Sequence, residues 1–438
     1  MSGWFAEARL GLFVHFGLYS GAARHEWVQT YERLTDAEYR VYFDHFEPDR
    51  FDARSIARAA RLAGAGYVVL TTKHHEGFAL WDTAQSDFSA PRACGRDLVR
   101  EFVDAVRAEG LRVGLYHSLI DWHHPDFTVD WVHPRRDDEA AHALNQGRDM
   151  ARYRSFLHGQ VRELLTAYGR IDYLFFDYTY PEAKDGWAGK SADDWDSTGL
   201  LALCRELQPG LLVNDRLGIP GDFVTPEQYQ PTSPLTVDGV PQAWEACQTM
   251  NGSWGYHRDN VDHKPAGLLV QMLVDSVSMG GNMLLNVGPD GRGAIAPHDA
   301  AALAEIGAWM ELHRGAVVGL INVGPRANGS IPGLQLAAMR ELGAWLRVNG
   351  EAVYGTRPWI RAGDPGTPTL ASPVAYTTTG GAVHAHALDP AVGAVRLPEE
   401  LRGRACRWIG AGDATADGAE VPIPEALRGA AAAVLTVR

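Results

Sequence analysis

An aspartate stands directly after an apolar run in Phe175-Phe176-Asp177-Tyr178. Burying a carboxylate at the end of a strand is costly unless it is paired or put to use. The ordinary fate of such a residue is to cap the helix or turn that follows. A second carboxylate, Glu227, follows Phe223-Val224-Thr225-Pro226. Two carboxylates facing one pocket can divide the work of nucleophile and acid/base, and their separation selects retention or inversion at the reacting carbon. Glu26 in His25-Glu26-Trp27 and Glu245 in Trp244-Glu245 compete for the acid/base role. Each sits beside a tryptophan that would raise its pKa by desolvation. Any of the three glutamates can equally be a solvated or ion-paired surface residue.

The histidines offer a different chemistry. His15, His74-His75, His117 and His123-His124 have the residue type of metal ligands. Yet the first strand holds no H-x-H, HExxH is absent, and adjacent histidines rarely share one ion. In a site for a polyhydroxylated ligand the same imidazoles bond hydroxyls. That reading is preferred, so no metal is expected. A metal-dependent barrel hydrolase is the competing enzyme reading, and a non-catalytic carbohydrate-binding protein is the competing reading outside enzymes. The 13 Trp, 15 Tyr, 14 Phe and 17 His, many in short polar-aromatic runs, lean toward sugar. Aromatic faces cover C–H patches, although most aromatics simply fill cores.

These residues need elements to hold them. Short apolar runs alternate with helical patterns, the signature of a parallel α/β protein. The spacing predicts strands over Leu10–His15, Tyr67–Thr72, Arg112–His117, Tyr173–Asp177, Leu211–Asp215, Phe223–Glu227, Ala243–Thr249 and Met283–Val287. Helices are predicted over Ala53–Ala63, Arg96–Glu109, Asp149–Tyr168 and Asp196–Leu207. Eight strands, mostly in βα order, indicate a (β/α)8-like barrel rather than an open sheet. His15, His74, Tyr116, His117, Asp177, Arg216, Glu227 and Glu245 fall mostly at the C-terminal ends of these strands, the face that carries chemistry in such barrels. After residue 355 Gly, Thr, Ala and Pro rise. Runs such as Ala382–Leu388 and Ala432–Val437 then read as strands of a small C-terminal β-sandwich. The expected domains are thus 1–355 for the barrel and 356–438 for the sandwich.

The last part of the barrel is duplicated. Leu284-Leu285-Asn286-Val287-Gly288-Pro289 recurs as Leu320-Ile321-Asn322-Val323-Gly324-Pro325, and Ile306-Gly307-Ala308-Trp309 as Leu342-Gly343-Ala344-Trp345. Segments 284–319 and 320–355 therefore read as two copies of one strand-loop-helix unit. Two copies are too few for a solenoid. One should close the barrel, and the other lie outside it, where it can shape the rim or form a contact between chains in a homo-oligomer.

Bulk properties exclude several classes. A net charge of −14 and a pI near 5.6 do not suit a phosphate-binding surface, so nucleic acid is not an expected partner. No apolar stretch approaches the roughly 20 residues of a membrane span, and the first residues lack a basic-then-apolar leader pattern, so no membrane partner and a cytoplasmic location are expected. Cys94, Cys204, Cys247 and Cys406 are scattered without CxxC or metal spacing, which reads as reduced thiols.

An ordered set of motifs resembles glycoside hydrolase family 29, the α-L-fucosidases. It begins with Gly11-Leu12-Phe13-Val14-His15-Phe16-Gly17, His25-Glu26-Trp27 and Thr72-Lys73-His74-His75-Glu76-Gly77-Phe78. Gly114-Leu115-Tyr116-His117-Ser118, Asp121-Trp122 and Val213-Asn214-Asp215-Arg216 follow. Trp244-Glu245, Ser253-Trp254-Gly255-Tyr256, Gly280-Gly281-Asn282-Met283 and Asn349-Gly350-Glu351-Ala352-Val353-Tyr354-Gly355 complete it. The resemblance implies a barrel with a C-terminal β-sandwich, retaining hydrolysis of terminal α-L-fucose from a fucosylated oligosaccharide, and no cofactor. It makes Asp177 the nucleophile. His15, Glu26, Trp27, His74, His75, Tyr116 and Arg216 correspond to groups lining the sugar pocket, and Trp254 to an aromatic near the sugar. For the acid/base it favours Glu227, then Glu26, then Glu245. The 36-residue duplication departs from the family pattern.

Overall fold

The computed structural model describes residues 3–231, 235–237, 240–313, 333–354, 356–363, 374–388, 393–428 and 432–438. Its first strands are β1 (Leu10–Val14), β2 (Tyr67–Lys73), β3 (Arg112–Ser118), β4 (Tyr173–Asp177) and β5 (Leu212–Val213). A short antiparallel hairpin of β6 (Thr236–Val237) and β7 (Val240–Pro241) precedes β8 (Glu245–Thr249) and β9 (Asn282–Val287). Seven of these form one parallel sheet in the order β5-β4-β3-β2-β1-β9-β8.

The expected eighth strand, Phe223–Glu227, lies between the two edge strands as isolated parallel bridges. Asn214 pairs with Phe223, Val224 with Trp244, and Glu227 with Cys247. Val224 N donates to Ala243 O and Glu245 N to Val224 O, both at 2.9 Å. Pro226 has no N–H to give, which interrupts the ladder. The sheet therefore curls round into eight positions, one of them held by bridges alone.

Strand alternation sorts the side chains into two layers. Leu12, Val14, Val68, Leu70, Leu174 and Phe176 pack outward with the helices in the main core. Phe13, Tyr67, Val69, Tyr116, Tyr173, Phe175, Cys247 and Leu284 fill a separate inner core. Two residues beyond Phe13 comes His15, and two beyond Phe175 comes Asp177, so the same period carries both inward at the C-terminal mouth. Glu245 also belongs to an inward series but opens β8 rather than ending it. It therefore lies at the opposite end of the barrel, where its Oε1 accepts from the Tyr173 hydroxyl at 2.6 Å.

The four helices predicted above form over Ala53–Leu62, Leu98–Ala108, Met150–Ala167 and Ser197–Leu207. Each starts on an aspartate whose side chain accepts from an amide of the first turn: Asp52, Asp97, Asp149 and Asp196. Among the described residues no helix is long and apolar enough to cross a membrane, and the four cysteines are unpaired.

The first repeat copy closes the barrel, since β9 pairs with both β1 and β8. Its helix, Pro297–His313, and the helix Gly333–Asn349 occupy equivalent positions in the two copies. The second copy's predicted strand falls outside the described residues. Two compact units emerge, Met1–His313 and Arg314–Arg438, so the contact boundary precedes the expected 355/356 division. The reason lies in Trp345 of the second helix. Its Nε1 donates to Ala432 O at 2.7 Å, and its ring packs on Ala352, Ile409 and Val434.

The second unit holds β10 (Arg357–Gly363), β11 (Val374–Thr379), β12 (Ala382–Ala387), β13 (Ala394–Arg396), β14 (Cys406–Trp408), β15 (Gly412–Ala414), β16 (Glu420–Pro422) and β17 (Ala433–Val437). An antiparallel sheet in the order β10-β11-β12-β17-β14-β15 and the pair β13-β16 share one core through Val383, Leu435, Val395 and Val421. This is the predicted C-terminal sandwich.

Asp97 tests the capping account. Its Oδ1 accepts from Arg100 N at 2.8 Å and its Oδ2 from the Tyr168 hydroxyl at 2.6 Å. Asp97→Ala is expected to cost about 1–2 kcal/mol and Asp97→Asn only a few tenths, read as urea midpoints at unchanged slope. Equal midpoints for all three proteins would contradict the cap.

Candidate active site

A pocket opens at the C-terminal mouth, lined by Phe13, His15, Trp27, His74, His75, Tyr116, Phe175, Asp177, Tyr178, Glu227, Cys247 and Trp254. Of the predicted site residues, only Glu26, Arg216 and the fallback Glu245 are outside this lining.

Asp177 is the last residue of β4, and its carboxylate is held at both oxygens. Tyr116 OH donates to Oδ2 at 2.9 Å, and Arg216 Nη1 to Oδ1 at 3.3 Å. The same guanidinium donates through Nη2 to Glu227 Oε2 at 2.9 Å. Arg216 is fixed in turn by Thr225, whose Oγ1 accepts from Nε at 2.9 Å and whose carbonyl accepts from Nη2 at 3.0 Å. Thr225 Oγ1 then donates to Asp215 Oδ1 at 2.7 Å. Asn214 completes the motif. Its side-chain amide accepts from Phe176 N and donates to Phe176 O, both at 2.9 Å, extending the ladder past the short β5.

The two carboxylates differ in exposure. The Asp177 side chain is 16% exposed and that of Glu227 42%. Burial pushes the Asp177 carboxyl up to about 6, while the Arg216 charge pulls it down and the Glu227 charge pushes it up again. Backbone strain accompanies each candidate acid at this mouth. Tyr178, His25 and Gln228, neighbours of Asp177, Glu26 and Glu227, all have positive φ without being glycine. Such strained residues cluster where a side chain must be aimed.

Glu26 serves the wall from behind. It is 1% exposed, and its Oε2 accepts from the amides of Trp254 at 3.2 Å and Gly255 at 2.8 Å. Burial pushes its carboxyl up to about 8. It therefore ties the loop carrying Trp254 to the segment carrying Trp27. Gly288 lets that loop approach, because a Cβ there would lie 2.8 Å from Trp254 O.

Two histidines have their tautomers set by neighbours. Asn286 Nδ2 donates to Trp254 O at 2.7 Å, so its Oδ1 faces His15 Nδ1 at 2.6 Å and that nitrogen carries the proton. Ser118 Oγ donates to Ile120 O at 2.9 Å and accepts from His75 Nδ1 at 2.7 Å. Both rings keep Nε2 as an acceptor for the cavity. His75 Nε2 lies 4.0 Å from Asp177 Oδ2. Burial lowers the pKa of both imidazoles well below the usual histidine value. His117 is also buried, with Nδ1 3.1 Å from Thr72 Oγ1, and does not line the cavity.

Phe13, Phe175, Tyr178, Cys247 and Asn286 join the site without having been predicted. Strand alternation flags Phe13 and Phe175, and Asn286 stands out as a lone polar residue inside an apolar strand. The metal reading fares differently. Among the described residues the trio whose ligand atoms lie within 4.8 Å of one another is His263, His298 and Asp299, and no pocket histidine belongs to it.

Two carboxylates on one guanidinium, imidazole acceptors and aromatic walls at the mouth of a (β/α) barrel define a glycoside hydrolase site. A family model described as alpha-L-fucosidase matches residues 1–315. The chain belongs to the α-L-fucosidase family. Tissue alpha-L-fucosidase of Rattus norvegicus is 33% identical over 349 residues, 72% of this chain and 69% of that protein. The alpha-L-fucosidase of Dictyostelium discoideum is 29% identical over 350 residues, 73% and 72% of the two chains. Among solved structures, alpha-L-fucosidase isoenzyme 1 from Paenibacillus thiaminolyticus is 37% identical with a TM-score of 0.68, covering 99% of this chain and 97% of that one. Thermotoga maritima alpha-fucosidase in complex with fucose is 26% identical with a TM-score of 0.58, covering 99% and 96%. The protein is a glycosidase that hydrolyses α-L-fucose from fucosylated glycans.

The environment of Asp177 sets a pH dependence. A carboxylate can attack only when ionised, so with Asp177 in that role kcat/KM on an aryl α-L-fucoside is expected to fall as pH drops through about 6. Arg216→Gln removes the group that lowers this pKa, so the acid limb should move to higher pH. An unmoved or lowered limb would contradict the assignment.

Proposed function

We propose that the enzyme works with retention, by double displacement, with Asp177 as nucleophile and Glu227 as acid/base. The observation that carries this is the single guanidinium of Arg216 bonded to both carboxylates. It holds the pair in one site while their exposures differ. Asp177, mostly buried and held at both oxygens, suits attack on C1. Glu227, open to solvent, suits repeated proton exchange with water.

In the first step an Asp177 oxygen bonds C1 as the bond to the leaving oxygen breaks and Glu227 gives that oxygen its proton. Esterification removes the Asp177 charge, and with it the repulsion that an ionised Glu227 feels. In the second step Glu227 takes a proton from water, the water oxygen bonds C1, and Asp177 leaves as carboxylate. Glu26 has no such route to solvent, and Glu245 sits at the far end of the barrel. Both are therefore assigned supporting roles.

The rest of the pocket suits a 6-deoxy sugar. Phe13, Phe175 and Trp254 offer apolar surface to a methyl group, and the acceptor nitrogens of His15 and His75 suit hydroxyl donors. Contacts that tighten as C1 gains positive charge contribute to rate rather than to ground-state binding.

Asp177→Ala is expected to lose at least about 10³-fold in kcat on an aryl α-L-fucoside. Azide should partly restore it, giving the fucosyl azide of inverted configuration. Glu227→Ala should retain more activity on substrates with good leaving groups, and azide should there give the retained product. Wild-type turnover by Asp177→Ala would sink the assignment.

A further inference from the structure

His74 differs from the two histidines beside it. Its ring stands in the pocket wall, 4.0 Å from that of His75 and stacked at 10° and 5.6 Å on Tyr116. His15 and His75 each have a bonded neighbour that sets the tautomer, and His74 has none. Behind its Nδ1, at 3.6 Å, lies Glu76 Oε2. Nδ1 and both Glu76 oxygens are buried, and among the described residues no side-chain hydrogen bond reaches them; the carboxyl's polar neighbours are the backbone amides of Leu18 and of Glu76 itself. A hydrogen bond across that gap, at about 2.8 Å, would provide for both groups at once.

The surroundings of Glu76 decide which partner holds the proton. Tyr19 from the helix Leu18–Ala22, Tyr39 from the helix Asp36–Asp44, Lys73 at the end of β2 and Asp121 beyond β3 face it. Lys73 is committed to Asp121 Oδ2 at 3.3 Å. Burial pushes the Glu76 carboxyl up to about 8, with the Asp121 charge adding to it while nearby backbone amides and the Lys73 charge pull it down; burial pushes the His74 imidazole down to about 3. Gly17 makes room for this arrangement, since a Cβ there would meet Glu76 Oε1 at 2.9 Å and the Tyr19 ring at 2.7 Å.

We propose that Glu76 is a positioning residue: as a neutral carboxylic acid it donates a hydrogen bond to His74 Nδ1, which leaves the imidazole proton on Nε2 as a donor toward the sugar. The pocket then presents two imidazole acceptors, His15 and His75, and one imidazole donor, His74. An ionised Glu76 would take the Nδ1 proton in a hydrogen bond and make all three rings acceptors. A hydroxyl donates one hydrogen bond and accepts up to two, so the mixed set can fix the direction of neighbouring hydroxyls where a uniform set cannot. Glu76 reaches the substrate only through His74. The proposal rests on this pocket being the fucoside site, but not on which carboxylate attacks.

Long-range ¹H–¹⁵N spectra of the free enzyme, with the His74 signal assigned by its loss in His74→Gln, test it directly. Below about pH 7 the proton is expected on Nε2, moving to Nδ1 as pH rises through about 8 and Glu76 ionises. Glu76→Gln keeps a donor toward Nδ1 and should hold kcat/KM within about threefold while keeping the His74 proton on Nε2 as pH rises through about 8. Glu76→Leu should lose roughly tenfold or more. A proton on Nδ1 at neutral pH, or Glu76→Gln as impaired as Glu76→Leu with native circular dichroism, would overturn the proposal. Because the tautomer is read without substrate, its failure is distinct from a failure of Asp177 as nucleophile.

Discussion

One guanidinium organises the mouth of this barrel. Arg216 bonds Asp177 and Glu227 with its two terminal nitrogens and is itself gripped twice by Thr225. Two carboxylates brought together in a largely buried site repel, and without a shared cation one of them would be forced neutral. With it, both can stay close while their surroundings push them toward different tasks. Much of the nearby fold serves that clamp. Asn214 extends the β4–β5 pairing by its side chain, which sets Arg216 beside Asp177. The bridged segment 223–227 supplies both Thr225 and Glu227.

The parts of this site that strand alternation could reach were legible in the sequence. Phe13 and His15, and Phe175 and Asp177, lie two apart on strands marked by unbroken apolar runs, so the inward turn of the polar member follows from period alone. The same rule misleads for Glu245. It points inward but opens β8, and period says nothing about which end of a strand a residue occupies. Glu26 was beyond local reasoning. Its partners, the amides of Trp254 and Gly255, are more than 200 residues away in a loop. The roles of the acids came from the family resemblance, because an aspartate after a strand is by itself more often a cap.

The duplication shows how repeated sequence can take separate structural roles. Two helices at equivalent repeat positions belong to different compact units. The first follows a strand that closes the barrel. The second is anchored by Trp345 to the sandwich, which moves the unit boundary upstream of the change in composition. Composition marks where strands begin, whereas the boundary is set by where packing changes partners.

The central claim, that the buried member of the clamped pair is the nucleophile, can be tested by trapping the covalent intermediate. A 2-deoxy-2-fluoro-fucosyl fluoride slows both steps by withdrawing charge from the transition state, while its fluoride leaving group preserves the first. After digestion, mass spectrometry is expected to place the fluorofucosyl group on Asp177, with label gained in proportion to activity lost. Label on Glu227, or full inactivation with no label on either carboxylate, would contradict it.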